Sequence, residues 1–345
     1  MMKSIDEVSV TGKKVFLRAD LDVPLIDGKV FDDTRIKASL PSINYLLENG
    51  ARVIIGAHLG RPDGRVVEEL RLTPVTDLLR RFIPGVIKAN DCIGLTVERE
   101  AGQLRTGEVL LLENLRFHPE EERNNDNFAK ELSSYADLYV NDCFSTSHRM
   151  HASFVGITKY LPSSAGLELG QIVRELGAWK NKITHPLIVI MGGAKIETKI
   201  PLIREFSKLA DQVLVGGKLM GEISDRSDLG NGGLAENIIL GSGGLDIDSS
   251  TINTFVNAIN SAKTVIWNGP LGAYEKGEIV GTRAVAEAII QSGCLSLVGG
   301  GDTVAILDQL GLTAKFSYAC PAGGAFLEFL VGRKLPALEA LGYYQ

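Results

Sequence analysis

The feature that most constrains this chain is a repeated passage from a short apolar run into a longer helical pattern. The apolar runs are Lys14–Ala19, Arg52–Ala57, Glu108–Leu112, Leu138–Asn141, Leu187–Met191, Gln212–Val215, Thr264–Trp267, Leu295–Val298 and Lys315–Tyr318. Their length and their content of branched residues are typical of strands. Near-continuous apolar strands that alternate with helices indicate parallel sheets buried on both faces. The pattern therefore predicts an α/β protein with doubly wound sheets.

Size predicts two domains. The sequence has 345 residues, of which 45% are hydrophobic, and such a chain is too long for one ordinary core. We predict a first domain over residues 1–163, a connecting helix within 164–183 and a second domain over 184–334. The helical pattern Leu167–Asn181 supplies the connection.

Composition excludes several functional classes. The formal net charge of -6 argues against wholesale nucleic-acid binding. The first ten residues lack the apolar segment of a signal peptide, and no apolar run of about 18 residues predicts a membrane span. None of the four cysteines lies in a C-x-x-C pair. We therefore expect neither zinc sites nor disulfide bonds, and a cytoplasmic location.

Polar residues follow the apolar runs in the first half of the chain. They include Asp20, Asp22, His58, Arg61, Arg116, His118 and Arg149, and Arg35 opens the helical pattern Thr34–Asn49. Because the carboxyl ends of parallel strands share one rim, these arginines are expected to converge on a multiply charged anion. The alternative is that each arginine forms an ordinary surface ion pair, and His118 fits a plain loop residue.

Glycine follows the apolar runs in the second half. The turns are Gly192-Gly193, Gly216-Gly217, Gly269-Pro270 after Asn268, and Gly299-Gly300-Gly301 before Asp302 and Thr303. Such turns let backbone N–H groups approach phosphate, which indicates nucleotide binding. They also permit close helix–sheet packing, which is the structural alternative. The chain has neither G-x-x-x-x-G-K-S/T nor a complete G-x-G-x-x-G.

Four charged residues beside these turns are candidate ligand contacts. Lys195 and Lys199 are four apart and would share a helix face toward an anion. Asp302 at a phosphate-facing turn suits a contact through Mg²⁺, or else a helix cap. Glu275 could accept hydrogen bonds from a ribose or remain solvated.

The ordered motifs resemble the phosphoglycerate kinase family over nearly the whole chain. The stretches that carry the resemblance are RADLDVP, DDTRIKASLPSINYLLENGARVIIGAHLGRP, LLENLRFHPEE, NDCFSTSHRMHAS, MGGAKIETK, VIWNGPLGAYE and LVGGGDT. The resemblance implies two Rossmann-like domains with a cleft between them, each a mainly parallel sheet flanked by helices. It also implies that residues 335–345 return to the first domain, and that the chain is a monomer.

The same resemblance implies the reaction and its residues. A phosphoryl group would pass reversibly from 1,3-bisphosphoglycerate to ADP, by in-line transfer after domain closure, giving 3-phosphoglycerate and ATP. The implied 3-phosphoglycerate site is Asp20, Asp22, Arg35, His58, Arg61, Arg116 and Arg149. The implied nucleotide site is Gly193, Lys195, Lys199, Gly216, Gly217, Asn268, Gly269, Pro270, Glu275, Gly299, Gly300, Gly301, Asp302 and Thr303, with Asp302 on Mg²⁺. Around the transferring group we expect Arg35, Lys195, Gly301 and Gly324.

Three departures from the family pattern motivate an alternative. Asp22 replaces the usual Asn, the family's S-T-G-G-G-A turn is here Cys320–Ala325, and residues 221–250 form a shortened segment whose only apolar run is Ile238–Leu240. A catalytically impaired binding protein with the kinase fold is the alternative that these changes suggest. An NAD-dependent dehydrogenase would share the α/β pattern but requires the missing fingerprint.

Overall fold

The computed structural model describes residues 2–194, 196–224 and 235–345. The chain divides into two compact units, and the first consists of Met1–Glu175 together with Lys334–Gln345. The second unit is Leu176–Arg333. Lys195, one of the predicted catalytic residues, lies outside the described residues.

The first unit is built on a six-stranded parallel sheet. Its strands and a small antiparallel ribbon (β2 and β3) are β1 (Lys14–Ala19), β2 (Leu25–Ile26), β3 (Lys29–Val30), β4 (Arg52–Gly56), β5 (Val86–Lys88), β6 (Val109–Leu111), β7 (Leu138–Asp142) and β8 (Ser163–Ala165). The sheet order is β5-β6-β4-β1-β7-β8. The central strands are fully buried, because helices cover both faces of such a sheet.

Helices surround this sheet, and the first two of them share one core with it. They are α1 (Thr34–Glu48), α2 (Thr73–Phe82), α3 (Leu95–Gln103), α4 (Pro119–Glu122), α5 (Asp126–Ser134) and α6 (Leu167–Lys180), with 3-10 helices at Ile5–Glu7, Glu68–Leu70, Leu115–Phe117 and Ile157–Lys159 and a π-helix at Ala152–Gly156. Helix α6 passes from the first unit to the second, which begins at Leu176. Ile36, Ile43 and Leu46 of α1 pack into the same core as Val15 and Leu17. That periodic apolar stripe is why α1 forms against the sheet.

The second unit has a six-stranded parallel sheet of its own. Its strands are β9 (Leu187–Met191), β10 (Gln212–Val215), β11 (Ile238–Leu240), β12 (Thr264–Asn268), β13 (Leu295–Gly299) and β14 (Tyr318–Cys320). The order β11-β10-β9-β12-β13-β14 is the Rossmann order, which reverses direction between β9 and β12. In such sheets ligands bind outside the carboxyl ends of the strands at this reversal.

The helices of the second unit complete its core. They are α7 (Ile196–Phe206), α8 (Leu219–Ser224), α9 (Ser249–Asn260), α10 (Val280–Ser292), α11 (Gly301–Gln309) and α12 (Gly324–Val331), with 3-10 helices at Tyr274–Lys276 and Thr313–Lys315. The Asp248 side chain caps α9 by accepting the Thr251 N–H. The last helix, α13 (Pro336–Ala340), belongs to the first unit. Among the helices that the structure describes, none could cross a bilayer.

The structure confirms the predicted α/β class and corrects some elements. Eight of the nine apolar runs contain the expected strand, with ends shifted by at most one residue. The run Lys315–Tyr318 was placed wrongly, since a 3-10 helix ends at Lys315 and strand β14 begins only at Tyr318. The short edge strands β5 and β8 were missed because each has three residues that include polar ones, whereas the equally short β6 is apolar throughout.

Candidate functional site

The carboxyl ends of β1, β4 and β7 meet at the reversal point of the first sheet. Strand β1 pairs with β4 on one side and β7 on the other, so Arg18 lies opposite Gly56 and Asn141. Asp20 and Asp22 follow β1, and His58 follows β4. The topology thus brings these polar residues to one rim, as the sequence pattern predicts.

Arg18 is a fully buried cation at the end of β1. Its Nε donates to Ser153 Oγ at 2.9 Å and its Nη1 to the Ala19 carbonyl at 2.7 Å. Its guanidinium also lies over the Phe154 ring, 4.4 Å from the centroid. The remaining Nη2 lies 3.0 Å from His58 Nδ1. Because every donor group of Arg18 is directed by the fold, its charge is fixed beneath the rim.

This contact determines the tautomer of His58. Arginine can only donate, so Nδ1 of His58 accepts and the neutral ring carries its proton on Nε2. Burial, followed by the charges of Arg116 and Arg18, lowers the pKa of His58 well below its ordinary value, so the ring is neutral. Its Nε2 is buried with no hydrogen-bond partner within the described chain. An unpartnered N–H of this kind is suited to a ligand oxygen.

A buried carboxylate compensates the Arg18 charge. Glu121 Oε2 accepts the Ser153 N–H at 2.9 Å and Oε1 accepts its hydroxyl at 2.5 Å. Burial raises the pKa of Glu121, and Arg18 opposes that rise. His151 Nδ1 lies 3.8 Å from Glu121 Oε1. Burial lowers the pKa of His151 to about 3, with Arg116 and Arg18 as further causes.

Arg116 and Asp22 lie on either side of the backbone at Gly60. Arg116 Nη1 donates to the Gly60 carbonyl at 2.9 Å, and Asp22 Oδ1 accepts the Gly60 N–H at 2.8 Å. The second Asp22 oxygen is 3.6 Å from His58 Nε2. Burial lowers the pKa of Arg116, with the Arg18 charge as the next cause. The Asp22 charge therefore has neighbours that partly compensate it.

The other three predicted arginines are more accessible. Arg35 Nη1 is paired with Asp20 Oδ1 at 3.1 Å, and Asp20 is the main cause that raises the pKa of Arg35. Arg61 and Arg149 are exposed. A cavity of about 430 Å³ opens beside Asp22, Leu59 and Gly60. Its wall also carries Asp27 and Glu69, so its charge does not suit an anion.

In the second unit, β9 and β12 approach so closely that only glycine fits at their ends. A Cβ on Gly192 or on Gly269 would overlap the backbone of the facing turn. Gly269 also has φ +97°, which favours glycine. The structural alternative for these glycines, close packing, is therefore realised at the reversal point.

Several glycine amides at these turns are already hydrogen-bonded within the protein. The acceptors are Asn268 O for Gly192, Pro270 O for Gly193, Met191 O for Gly216, Thr303 Oγ1 for Gly269 and Cys320 O for Gly300. These five N–H groups are directed inward in this structure. The first turns of α11, which begins at Gly301, and of α12, which begins at Gly324, have amides without intrahelical partners, as at any helix start.

Side chains join the turns of the second unit. Lys199 Nζ donates to the Gly192 carbonyl and lies 3.4 Å from the Asn268 carbonyl. Asn268 Nδ2 donates to the Gly299 carbonyl at 2.7 Å. The structure therefore brings Lys199, Asn268, Gly299 and Thr303 together.

Acidic residues border the same turns. Asp302 and Glu275 are exposed. Burial and then the charge of the neighbouring Asp302 raise the pKa of Tyr274 to about 12. The exposed carboxylate of Asp302 is the kind of hard oxygen ligand that Mg²⁺ accepts, so this residue fits the expected ion.

Two of the departures in sequence can be located. The apolar run Ile238–Leu240 is strand β11, which pairs with β10. Residues 225–234 of the shortened segment lie outside the described residues. In the altered turn, Cys320 ends β14 and Gly323 precedes α12, with a Cβ on Gly323 reaching 3.8 Å from the Gly300 Cα.

Sequence reasoning missed three residues of the first site: Arg18, Glu121 and His151. Arg18 could have been found from its position within the apolar part of strand β1, because a buried arginine requires dedicated partners. The sequence contains no comparable signal for Glu121 and His151, since each lies in a polar stretch.

Two doubly wound α/β units, one with basic side chains and one with glycine-rich turns at its strand ends, define a nucleotide-dependent phosphotransferase. The family model for phosphoglycerate kinase matches residues 5–229 and 234–333. The chain belongs to the phosphoglycerate kinase family, whose members are phosphotransferases with a carboxyl group as acceptor.

Named relatives agree with this assignment over their whole length. Phosphoglycerate kinase of Moorella thermoacetica is 39% identical, covering 98% of both chains, and that of Dictyoglomus turgidum is 40% identical, covering 96% of both. Phosphoglycerate kinase structures from Pyrococcus horikoshii (TM-score 0.82, 29% identity, covering 99% of this chain and 98% of that one) and Coxiella burnetii (0.76, 31%, 100% of both) have the same fold. The full-length matches lend nothing to the impaired-kinase alternative.

Proposed function

We propose that the first unit binds 3-phosphoglycerate or 1,3-bisphosphoglycerate at the rim formed by β1, β4 and β7. The observation that carries the proposal is the buried, unpartnered Nε2 of His58 beside several cations. Arg18 holds the ring in the tautomer that presents this proton. A carboxylate or phosphate oxygen would accept it, and arginine forks suit the remaining oxygens.

The exposed cations then bind the ends of the anion. Arg35 is held by Asp20 with a quarter of its side chain accessible, and Arg61 and Arg149 are exposed. These three side chains can move to a ligand at little cost, whereas Arg18 and Arg116 are fixed by internal bonds. Asp20 and Asp22 orient the cations and amides and complete the site.

The second unit would bind ATP or ADP at the turns after β9, β10, β12 and β13. Lys199, Asn268 and Thr303 fix the turn geometry, and the N-terminus of α11 supplies free amides and a favourable dipole for phosphate. The remaining glycines and Pro270 shape the walls, and Glu275 is placed for the ribose. Asp302 would hold Mg²⁺, which neutralises phosphate charge when it is bound.

The protein's own contribution to catalysis is positioning. In the transfer, the bond between the acyl oxygen and phosphorus breaks while an ADP oxygen bonds to the same phosphorus, in line. Arg35, Lys195 and the amides of Gly301 and Gly324 would neutralise the transferring oxygens. Because the acyl phosphate hydrolyses in water, we propose a closure step that excludes solvent.

Steady-state kinetics tests the assignment of substrates to units. The assay couples 3-phosphoglycerate phosphorylation to glyceraldehyde-3-phosphate dehydrogenase and NADH oxidation. Loss of one charged hydrogen bond costs about 1.5–3 kcal/mol, so Arg35→Ala should raise the KM for 3-phosphoglycerate by roughly 10- to 100-fold. Arg99→Ala, an exposed arginine on α3, is the matched control.

The nucleotide arm uses lysines. Lys199→Ala should raise the KM for ATP, and Lys195→Ala should lower kcat. Substitution of the exposed Lys208 by Ala should change neither constant. An Arg35→Ala enzyme whose KM rises for ATP and not for 3-phosphoglycerate would refute the assignment.

We propose that the protein is cytoplasmic. All four cysteines are free thiols, which suits a reducing compartment such as the cytoplasm. We also propose a monomer, testable by analytical ultracentrifugation.

A further inference from the structure

Three potential metal ligands lie together on the first unit, and none is among the predicted substrate residues. One donor atom from each of Asp91, Cys92 and His118 lies within 4.8 Å of the other two. Asp91 and Cys92 follow β5, and His118 follows the 3-10 helix after β6. Because β5 and β6 are adjacent parallel strands, their following loops meet.

The three donor side chains differ in solvent exposure. Cys92 is fully buried, whereas 24% of the His118 side chain and 55% of the Asp91 side chain are exposed. His118 Nε2 lies 2.7 Å from Asp91 Oδ1, and the Cys92 N–H donates to the same oxygen at 2.7 Å. The backbone therefore holds the carboxylate beside the imidazole, with one side open to water.

The backbone fixes the loop that carries Asp91. The Glu113 N–H donates to the Asp91 carbonyl and holds this loop from the opposite side. The mixed sulfur, nitrogen and oxygen donors favour a borderline-soft divalent cation.

We propose that Asp91, Cys92 and His118 bind one zinc-class cation, with water as the fourth ligand. Zinc bonds of about 2.0–2.3 Å place tetrahedral ligand atoms roughly 3.3–3.8 Å apart. Movements of about 1 Å by the donor atoms of Asp91 and His118 would therefore bring the three ligands to bonding distance of one ion. The hydrogen bond between His118 and Asp91 would be replaced by two metal bonds.

This proposal differs from the expectation of no zinc that cysteine spacing gave. Spacing rules detect ligands within one loop, whereas Cys92 and His118 come from loops after two different strands. The ion would join the β5 loop to the segment that carries Arg116. The ion would therefore have a structural role, and its binding would not require the nucleotide.

Metal titration of the full-length protein tests the proposal without an activity readout. Co²⁺ should bind with 1:1 stoichiometry and give a near-ultraviolet thiolate charge-transfer band and tetrahedral visible bands. Zn²⁺ should displace it in competition with a chromophoric chelator. The variants are Asp91→Asn, Cys92→Ser and His118→Asn, and the control is Cys294→Ser, a half-buried thiol of the second unit.

We expect Zn²⁺ affinity to fall at least about tenfold in Asp91→Asn and about 100-fold in the other two variants, with Cys294→Ser unchanged. Asp91 is exposed, so its variant keeps the test valid if Cys92→Ser fails to fold. Absence of the charge-transfer band, or equal affinity in wild type and variants, would overturn the proposal. The 3-phosphoglycerate kinetics stand apart from either result.

Discussion

Asp142, a buried carboxylate at the end of β7, is predicted to cost the first unit stability at neutral pH. It is 1% exposed, and its Oδ1 accepts the Leu169 N–H at 3.0 Å. Burial raises its pKa from the ordinary 3.8 to about 6, against the opposing hydrogen bonds from Ser42 and Leu169. The folded unit therefore holds the Asp142 proton more tightly than the unfolded chain does.

The sign and size of the effect follow from linkage. Between pH 3.8 and about 6 the folded state binds more protons than the unfolded state, so stability falls as pH rises. Above pH 6 the full penalty is about 3 kcal/mol. Asn at this position stays neutral but weakens the bond to Leu169 and buries an amide, which costs about 1–2 kcal/mol. Asp142→Asn should thus stabilise the unit by about 1–2 kcal/mol at pH 8. At pH 4 the penalty is only about 0.5 kcal/mol, so the same substitution should destabilise the unit by about 0.5–1.5 kcal/mol.

The assay must report the first unit alone. Both tryptophans, Trp179 and Trp267, lie in the second unit, so fluorescence would follow the wrong transition. Hydrogen exchange in increasing urea, read by mass spectrometry on peptides of β1 and β7, resolves the first unit at each pH. Asp6→Asn, an exposed carboxylate, is the control. An Asp142→Asn protein with the wild-type pH dependence, or no gain at pH 8, would refute the reasoning.

A second readout uses the neighbouring carboxyl group. Burial and then Asp142 raise the pKa of Glu168 to about 7. Removing the Asp142 charge should lower the pKa of Glu168, measured by NMR titration of labelled glutamate side chains. An unchanged Glu168 titration would show that the two groups do not interact.

Three further predictions concern the two sites. Arg18→Met removes a buried cation whose partners stay behind, and should destabilise the first unit by about 3–5 kcal/mol in the same exchange experiment, with Arg18→Lys intermediate. Gly269→Ala should lower the free energy of unfolding of the second unit by about 3 kcal/mol, followed by tryptophan fluorescence in urea, because a Cβ there overlaps a facing carbonyl. Gly277→Ala has a similar φ of +83° but open space, so a loss near 1 kcal/mol is expected, and equal losses would argue against the packing explanation. His58 should stay neutral with its proton on Nε2 from about pH 6 to 8, and an NMR titration midpoint inside that range would contradict its buried, cation-flanked environment.

Much of the fold could be predicted because local pattern and tertiary environment agree. Runs such as Leu187–Met191 and Gln212–Val215 are apolar at every position, and only strands buried on both faces require that. Strand β14 was misplaced because the four-residue run Lys315–Tyr318 is too short to distinguish a strand from the end of a 3-10 helix and the turn that follows it. Three-residue strands with polar residues, such as β5 and β8, carry too little apolar pattern to be detected.

The candidate sites were only partly predictable. Strand ends identified His58, Arg116 and Asn268, because parallel topology gathers those positions whatever the details of packing. Helical spacing identified Lys199, which lies on α7. The prediction that glycine amides face phosphate omitted their internal acceptors, which neighbouring strands and turns of the folded unit supply.

The sequence by itself determined the α/β class, most of the sheet strands and the positions where chemistry concentrates, since these depend on periodicity and on residues at strand ends. Tertiary structure alone decided which groups are charged and which are free to bind. Arg18, Glu121 and Ser153 are distant in sequence, and their mutual burial fixes the His58 tautomer. Protonation and hydrogen bonding depend on neighbours within a few ångströms, and such neighbours come from loops that the linear order keeps apart.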